Sequence, residues 1–152
     1  MRRIKHMGTG KGGSDENELN LSLCSVSSQR KFSVRILRNP YKSNIWIGVV
    51  QLDHLFQMGG FHGAHWYIKN DYELKKCSDS EMDEEYKGKT IPEGAVVSVD
   101  IDDKRRALTF IVNGQEIYDK VKTGLTPQKF SRLVGAVVMF WKDDEIEIMD
   151  SE

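Results

Sequence analysis

The sequence predicts an all-β protein, a twisted sandwich of two antiparallel β-sheets with little or no helix. Short segments alternate apolar and polar residues with period two, as in FSVRIL, where Phe32, Val34 and Ile36 share one face. The run IWIGVV (45–50) is continuously apolar, which is typical of a strand covered on both faces. No segment carries an apolar stripe with helical spacing over three turns. These patterns together favour stacked sheets over a helical bundle.

The length of 152 residues suits one domain with a substantial core. Residues 1–18 are rich in glycine and charge and lack apolar periodicity, so we expect a flexible N-terminal tail followed by a single sandwich domain over residues 19–152. The 22 basic and 23 acidic residues nearly cancel, which leaves no overall field for nucleic acid or an anionic membrane. We therefore expect any partner to be recognised locally.

No stretch approaches the roughly 20 apolar residues of a bilayer span, and the N-terminus lacks the apolar centre of a signal peptide. The sequence therefore predicts an intracellular protein, cytoplasmic or nuclear, that does not engage a membrane and is monomeric on its own. In such a compartment Cys24 and Cys77 are expected to be reduced thiols.

The first strands follow in order along the chain. Leu19, Leu21 and Leu23 alternate with polar residues, FSVRIL and IWIGVV come next, and AHWYIKN resumes the alternation after the glycine-rich FQMGGFHGAH. The acidic segment SDSEMDEEYKGK (78–89) has no apolar stripe, so we expect a solvated loop or at most one helical turn.

The stretch VDIDDKRRALTFIV (99–112) predicts a hairpin with its register. A bend at residues 103–106 brings the apolar side chains of both arms to one face, whereas a one-residue slip would reverse every one of them. The expected opposite pairs are Asp102 with Ala107, Ile101 with Leu108, Val99 with Phe110, and Val97 with Val112.

Two further turns complete the predicted sheets. Asn113-Gly114 is a strong signal for a tight turn, because both central positions of such a turn take positive φ, and a strand at EIYDKV should follow at once. After the loop TGLTPQ, the runs LVGAVVMFW (133–141) and EIEIM (145–149) predict a final hairpin around KDD. A three-residue loop would place Phe140 opposite Ile146, and a two-residue loop would reverse the faces.

The sequence contains partial metal-binding patterns but no complete metal or catalytic motif. The carboxylates of DIDD alternate in direction and lack the glycine and distal glutamate of an EF-hand loop. His62 and His65 form an H-x2-H pair with Cys77 downstream, but a zinc site needs a second close pair of ligands. Since the glycines of GTGKGG follow no strand and no nucleophile motif is present, we expect no metal, no cofactor and no catalytic residue.

Several segments share a resemblance to a known family. GAVVSVDIDDKRRALTFIVNGQEI (94–117) followed by LVGAVVMFWKDDEIEIM (133–149) resembles the second half of a SPRY domain. IWIGVV is similar to the family's Trp-x-Val-Gly-Val strand, and HWYIKNDYEL (65–74) to its Ser-Trp-Gly-Tyr segment. The closest likeness is to the SPRY domains that carry a SOCS box, although these 152 residues contain no SOCS-box sequence and predict no ubiquitin-ligase adaptor role.

The resemblance implies a non-catalytic module that recognises a peptide segment or a partner protein through loops at one end of the sandwich, as a subunit or domain of a larger assembly. It places Trp141 and Phe140 in the wall of the partner site, beside Lys142, where the family has a small residue. The glycine-rich loop adds Phe61 and His62 as candidates. For Phe61 the alternative is a plug for the end of the sandwich.

The basic segment RKFSVRILRNPYK adds Arg35 and Arg38 as candidate contacts. Its favoured interpretation is a charged edge strand that discourages sheet-to-sheet aggregation, and the alternative is contact with an acidic peptide or, less favoured, an RNA backbone. The acidic segment 78–89 is interpreted as solvated surface, with attraction of a basic partner segment as its alternative. The alternative function is a carbohydrate-binding sandwich, in which exposed Trp and Tyr side chains stack on sugar rings.

Overall fold

The computed structural model describes residues 2–5, 7, 20–24, 26–27, 29–51, 64–77 and 79–149. Within this part of the chain, twelve strands form two six-stranded antiparallel sheets, so the predicted all-β sandwich is confirmed. The strands are β1 (Arg2–Lys5), β2 (Asn20–Cys24), β3 (Lys31–Arg38), β4 (Ile45–Gln51), β5 (His65–Lys69), β6 (Leu74–Lys76), β7 (Asp79–Glu81), β8 (Val96–Asp102), β9 (Ala107–Val112), β10 (Gln115–Lys122), β11 (Leu133–Met139) and β12 (Glu145–Met149).

The first sheet has the order β1-β12-β3-β8-β9-β10, and the second has the order β2-β11-β4-β5-β6-β7. Helical structure in the described ranges is limited to a 3₁₀ turn at Glu84–Tyr86 and the four-residue α1 at Pro127–Phe130. Thr126 caps α1 by accepting a hydrogen bond from the backbone N–H of Lys129. None of the described helices is long and apolar enough to cross a membrane.

The predicted hairpin is confirmed, with its register. β8 and β9 pair Asp102 with Ala107 and Val99 with Phe110, and residues 103–106 form the bend. Asn113 and Gly114 take φ values of 50° and 80°, and β10 begins directly after them. The positive φ of both residues gives the turn the twist that the flanking strands require.

The two sheets pack through large apolar side chains. Phe32 of β3 and Phe110 of β9 are almost fully buried, as is Trp66 of β5. The ring of Phe32 lies directly over Gly135 of β11, where a Cβ atom would come within 2.5 Å of the ring. Glycine at this position therefore lets the ring of one sheet contact the backbone of the other.

The predicted final hairpin is wrong. β11 pairs with β2 and β4 in the second sheet, whereas β12 pairs with β1 and β3 in the first. The two strands thus lie in opposite layers, and residues 140–144 cross between them. The apolar runs of β11 and β12 specify which faces are buried, but they do not specify which neighbour each strand pairs with, and here each strand finds two other partners.

The basic segment is not an edge strand, contrary to the favoured interpretation, because β3 lies inside the first sheet between β12 and β8. Within residues 1–18, for which a flexible tail is predicted, Arg2–Lys5 form β1 and pair with β12 at the edge of this sheet. Residues 8–19 lie outside the described residues, and the domain start at residue 19 stays a prediction.

Candidate partner-binding surface

Four connections meet at one end of the sandwich, which we call the loop end. They are residues 39–44 between β3 and β4, 70–73 between β5 and β6, 90–95 before β8, and 140–144 between β11 and β12. Hydrogen bonds join all four: Asn39 contacts Asp144, Asn70 and Glu93.

A buried polar cluster holds these connections together. The carboxylate of Asp144 is fully buried and accepts hydrogen bonds from Asn39 Nδ2 at 2.9 Å and from Ser43 Oγ at 3.0 Å. Asn70 Nδ2 donates to Asn39 Oδ1 at 3.1 Å and to the Ser43 carbonyl at 2.7 Å, and its Oδ1 accepts from the Ile45 N–H at 3.1 Å. A buried polar group is costly unless it is hydrogen-bonded, so this satisfied network favours one conformation of the loops.

Two aromatic side chains lie on the surface of the loop end. Tyr41 is 63% exposed, and its ring meets the partly buried ring of Trp141 edge to face, with the centroids 6.2 Å apart. Beside them is an open depression of about 390 Å³. Its lining residues are Lys42, Ser43, Asn44, Phe140 and Trp141.

A second open depression, of about 550 Å³, adjoins the first because Lys42 lines both. Arg38 lies on its wall, and Glu93 accepts a hydrogen bond from the Asn39 backbone N–H at 2.6 Å. Arg38, Lys42 and Lys142 form no ion pair with any residue that the structure describes. Among the described residues, Arg38 and Lys42 thus line the depressions beside the aromatic pair without an ion pair, and Glu93 adds a carboxylate to the lining of the second depression.

Phe140 supports this surface from below. Its ring packs on Trp46 with the centroids 4.8 Å apart, and Trp46 stacks in turn on Tyr67 at 4.6 Å. His65 stacks on the other side of Tyr67 at 4.8 Å, so the four rings form a row on the outer face of the second sheet. Burial, and secondarily the charge of Cys77, raises the pKa of the Tyr67 hydroxyl. Phe140 is therefore supported by a row of packed rings on the outer face of the second sheet.

The structure brings together four of the predicted site residues and separates one. Trp141, Phe140, Lys142 and Arg38 all lie at the loop end. Arg35 lies within β3 on the outer face of the first sheet, where its guanidinium is 3.7 Å from the carboxylate of Glu147.

Phe61 and His62 lie outside the described residues. Gln51 and Ala64, which are the nearest described residues on either side, are joined by a backbone hydrogen bond of 2.9 Å at the opposite end of the sandwich from Trp141.

Sequence reasoning missed Tyr41. The available signal was an aromatic residue directly after Asn39-Pro40, in a connection between two strands. Such connections are exposed, so an aromatic ring there indicates a contact with another part of the protein or with a partner. As for metals, the described residues contain no group of three or more His, Cys, Asp or Glu side chains close enough to hold an ion.

No protein-family model matches the sequence, and no curated protein is recognisably similar to it. Solved structures are similar in fold. A human SPRY domain superposes with a TM-score of 0.67 at 16% identity, over 100% of this chain and 99% of the other. This chain has the fold of a SPRY domain.

A second SPRY domain, that of human HERC1, matches with a TM-score of 0.63 and 15% identity, over 88% of this chain and 84% of its own. The SPRY fold was expected from the segments at 94–117 and 133–149, and it is confirmed. The particular likeness to SPRY domains with a SOCS box stays a prediction.

Proposed function

We propose that this chain is a non-catalytic protein-interaction module that recognises a peptide segment or a partner surface through its loop end. The observation that carries the proposal is the contact between the exposed ring of Tyr41 and the partly buried ring of Trp141, held over a buried, hydrogen-bonded Asp144 cluster. Large exposed aromatic side chains on rigid connections are typical of binding surfaces.

The buried cluster reduces the conformational entropy that the loops lose on binding a partner. Asn39, Ser43 and Asn70 already fix the connections that carry the aromatic pair, so a partner does not have to order them. An aromatic anchor at such a site contributes about 2 kcal/mol or more to binding. Most of the affinity is then expected from Trp141 and Tyr41, and the surrounding contacts exclude water.

The charge of the surface favours an acidic partner segment. Arg38 and Lys42 line the two depressions, and Lys142 directly follows Trp141 in the chain. The Asp144 carboxylate points into the buried cluster, and the Glu93 carboxylate accepts a hydrogen bond from the Asn39 backbone N–H. A positive surface speeds the approach of an acidic segment and disfavours a basic one. An RNA backbone is less favoured, because the charge is confined to three side chains and the chain as a whole carries a net charge of −1.

The test is capture of partners from native lysate by the wild-type protein, with Trp141→Ala and Tyr41→Ala in parallel. Loss of an anchor of about 2 kcal/mol corresponds to roughly 30-fold weaker binding, so each variant should fail to retain the partner. Trp141→Phe, which keeps an aromatic ring, should restore part of the recovery. Lys104→Ala, in the β8–β9 bend, is the control and should behave as wild type.

Circular dichroism and thermal unfolding of each variant must show that the sandwich is intact. Unchanged recovery by Trp141→Ala and Tyr41→Ala would discard the proposed site. The carbohydrate alternative is tested on a glycan array with and without calcium: glycan binding that Trp141→Ala abolishes, without a captured protein, would replace the protein-interaction proposal.

A further inference from the structure

A second groove lies along the side of the sandwich and shares no lining residue with the two depressions of the loop end. It runs between β10, the outermost strand of the first sheet, and the segment that follows β7, the outermost strand of the second. Its volume is about 370 Å³. The lining residues are Glu81, Met82, Asp83, Ile117, Tyr118, Asp119 and Val121.

The floor of this edge groove is apolar and fixed in place. Ile117 and Val121 are partly buried against the core. The buried Tyr118 hydroxyl donates to the Tyr72 carbonyl at 2.6 Å and accepts from the Asp83 backbone N–H at 3.1 Å. Because these two bonds join β10 of one sheet to the connections of the other, they hold the walls of the groove at a constant separation.

The rim is acidic. Glu81, Asp83 and Asp119 are exposed, and the lining includes no cationic residue. Lys76 lies 3.3 Å from Glu81 and Lys120 lies 3.8 Å from Asp119, but both are exposed pairs of the kind that contribute little and exchange readily.

The pKa of the Tyr118 hydroxyl is raised at the floor of the groove. Burial is the largest cause of the raised pKa of its hydroxyl, and the carboxylates of Asp83, Glu81 and Asp71 raise the pKa further, against a lowering by the hydrogen bond from the Asp83 N–H.

The carboxylates are distributed along the groove and do not converge on one point. The described residues hold no group of three or more acidic, His or Cys side chains that could bind a metal ion. Separate carboxylates above an apolar floor instead complement a chain whose cations are spaced along it. An extended peptide segment, whose side chains alternate along its length, has this spacing.

We propose that the edge groove binds an extended basic peptide segment of a partner protein. Lysine or arginine side chains of that segment pair with Glu81, Asp83 and Asp119, and an apolar side chain between them covers Ile117 and Val121. Tyr118 bonds to Tyr72 of the 70–73 connection, but the edge groove shares no lining residue with the two loop-end depressions and does not include Trp141.

The probe is a fluorescein-labelled nine-residue peptide in which lysine or arginine alternates with valine or leucine. Binding to the full chain is measured by fluorescence anisotropy at low ionic strength, and the site is mapped by amide shifts in ¹⁵N spectra. One control peptide replaces the basic residues by glutamate, and another replaces the apolar residues by serine. We expect the basic apolar peptide alone to bind well and to shift the amides of Met82, Ile117 and Val121.

The variant Glu81→Gln/Asp119→Asn removes two charges while keeping the shapes of both side chains and the acceptor for the Thr109 hydroxyl. It should weaken binding about tenfold. The matched variant Glu145→Gln/Asp103→Asn removes two carboxylates that do not line the groove, and it should change binding less than about twofold.

Trp141→Ala should leave peptide binding intact, which separates this proposal from that for the loop end. The proposal is overturned by absence of binding, by equal affinity for the serine peptide, by an unchanged affinity of the groove variant, or by amide shifts confined to the loop end.

Discussion

Replacing Gly135 with alanine tests how the two sheets are held together. A Cβ at this position would lie 2.5 Å, 2.6 Å and 2.7 Å from three ring atoms of Phe32, although ordinary contact begins at 3.4 Å. The ring would have to retreat by about 0.9 Å, but Phe32 is 2% exposed and surrounded by core residues. Overpacking of this kind costs about 1–3 kcal/mol.

A gain partly offsets this cost, because alanine restricts the unfolded chain more than glycine and so stabilises by about 0.4–1 kcal/mol. We therefore expect Gly135→Ala to lower the free energy of unfolding by about 1 kcal/mol. Phe32→Ala alone should cost about 3–5 kcal/mol through the cavity it leaves. In the Phe32→Ala background the new methyl group enters vacated space, so only the gain remains and Gly135→Ala should raise the free energy of unfolding by about 0.4–1 kcal/mol there.

The assay is urea unfolding of the wild type, both single variants and the double variant, followed by tryptophan fluorescence. The coupling free energy between the two substitutions should be about 2 kcal/mol. Gly48→Ala is the matched control, because its Cβ would meet backbone atoms of Trp66 and Tyr67, which Phe32→Ala cannot relieve. Strictly additive effects of Gly135→Ala and Phe32→Ala would refute the packing argument.

Three further predictions concern polar and titratable groups. Asp144→Ala leaves buried donors without their acceptor, so it should lower the free energy of unfolding by about 2–4 kcal/mol and weaken partner binding; urea unfolding and the pull-down check this, and normal stability with normal binding would contradict it. Hydrogen bonds from the backbone and side chain of Arg105 lower the pKa of Asp102, so its stabilising contribution is present above about pH 4 and is lost as the pH falls through the lowered pKa. The stability difference between wild type and Asp102→Asn should therefore shrink in acid, which unfolding at a series of pH values would show, and a difference that grows in acid would be inconsistent with it. Burial raises the pKa of Tyr67 and Tyr118. Their contribution to the free energy of unfolding is therefore present below about pH 10 and is lost as the pH rises through the raised pKa values. Absorbance at alkaline pH should show these tyrosines ionising only as the protein unfolds.

Much of the fold could be predicted because local patterns specify it. The pairing of β8 with β9 follows from apolar alternation and the charged bend, and the turn after β9 follows from Asn113-Gly114. The burial of both faces of β4 follows from its continuous apolar run. Each of these features depends on residues that are close in the sequence.

The placement of β11 and β12 could not be predicted in the same way. Both segments have apolar residues at suitable positions, and a short link between them favours a hairpin. The choice of β2 and β4 for one strand, and of β1 and β3 for the other, depends on how all the layers fill the core. An argument from local alternation cannot include that competition.

The candidate site shows the same division. Trp141 and Phe140 were expected from the resemblance to SPRY domains, and both lie at the loop end. Tyr41 was missed. The Asn39–Asp144 contact was missed because it joins residues 105 positions apart in the sequence. Arg35 and Arg38 are three positions apart in the sequence, yet the sheet directs one to its outer face and the other to the loop end.

The sequence by itself determined the class of structure, the hairpin register and the presence of aromatic residues in connections, since these depend on periodicity and turn chemistry over a few residues. Only the tertiary structure decided which strands are neighbours, which loops meet around Asp144, and that Tyr41 stands beside Trp141. The physical reason is that long-range pairing is selected by the packing of the whole core and by satisfaction of buried polar groups. Both are properties of the assembled sheets, which no single segment carries.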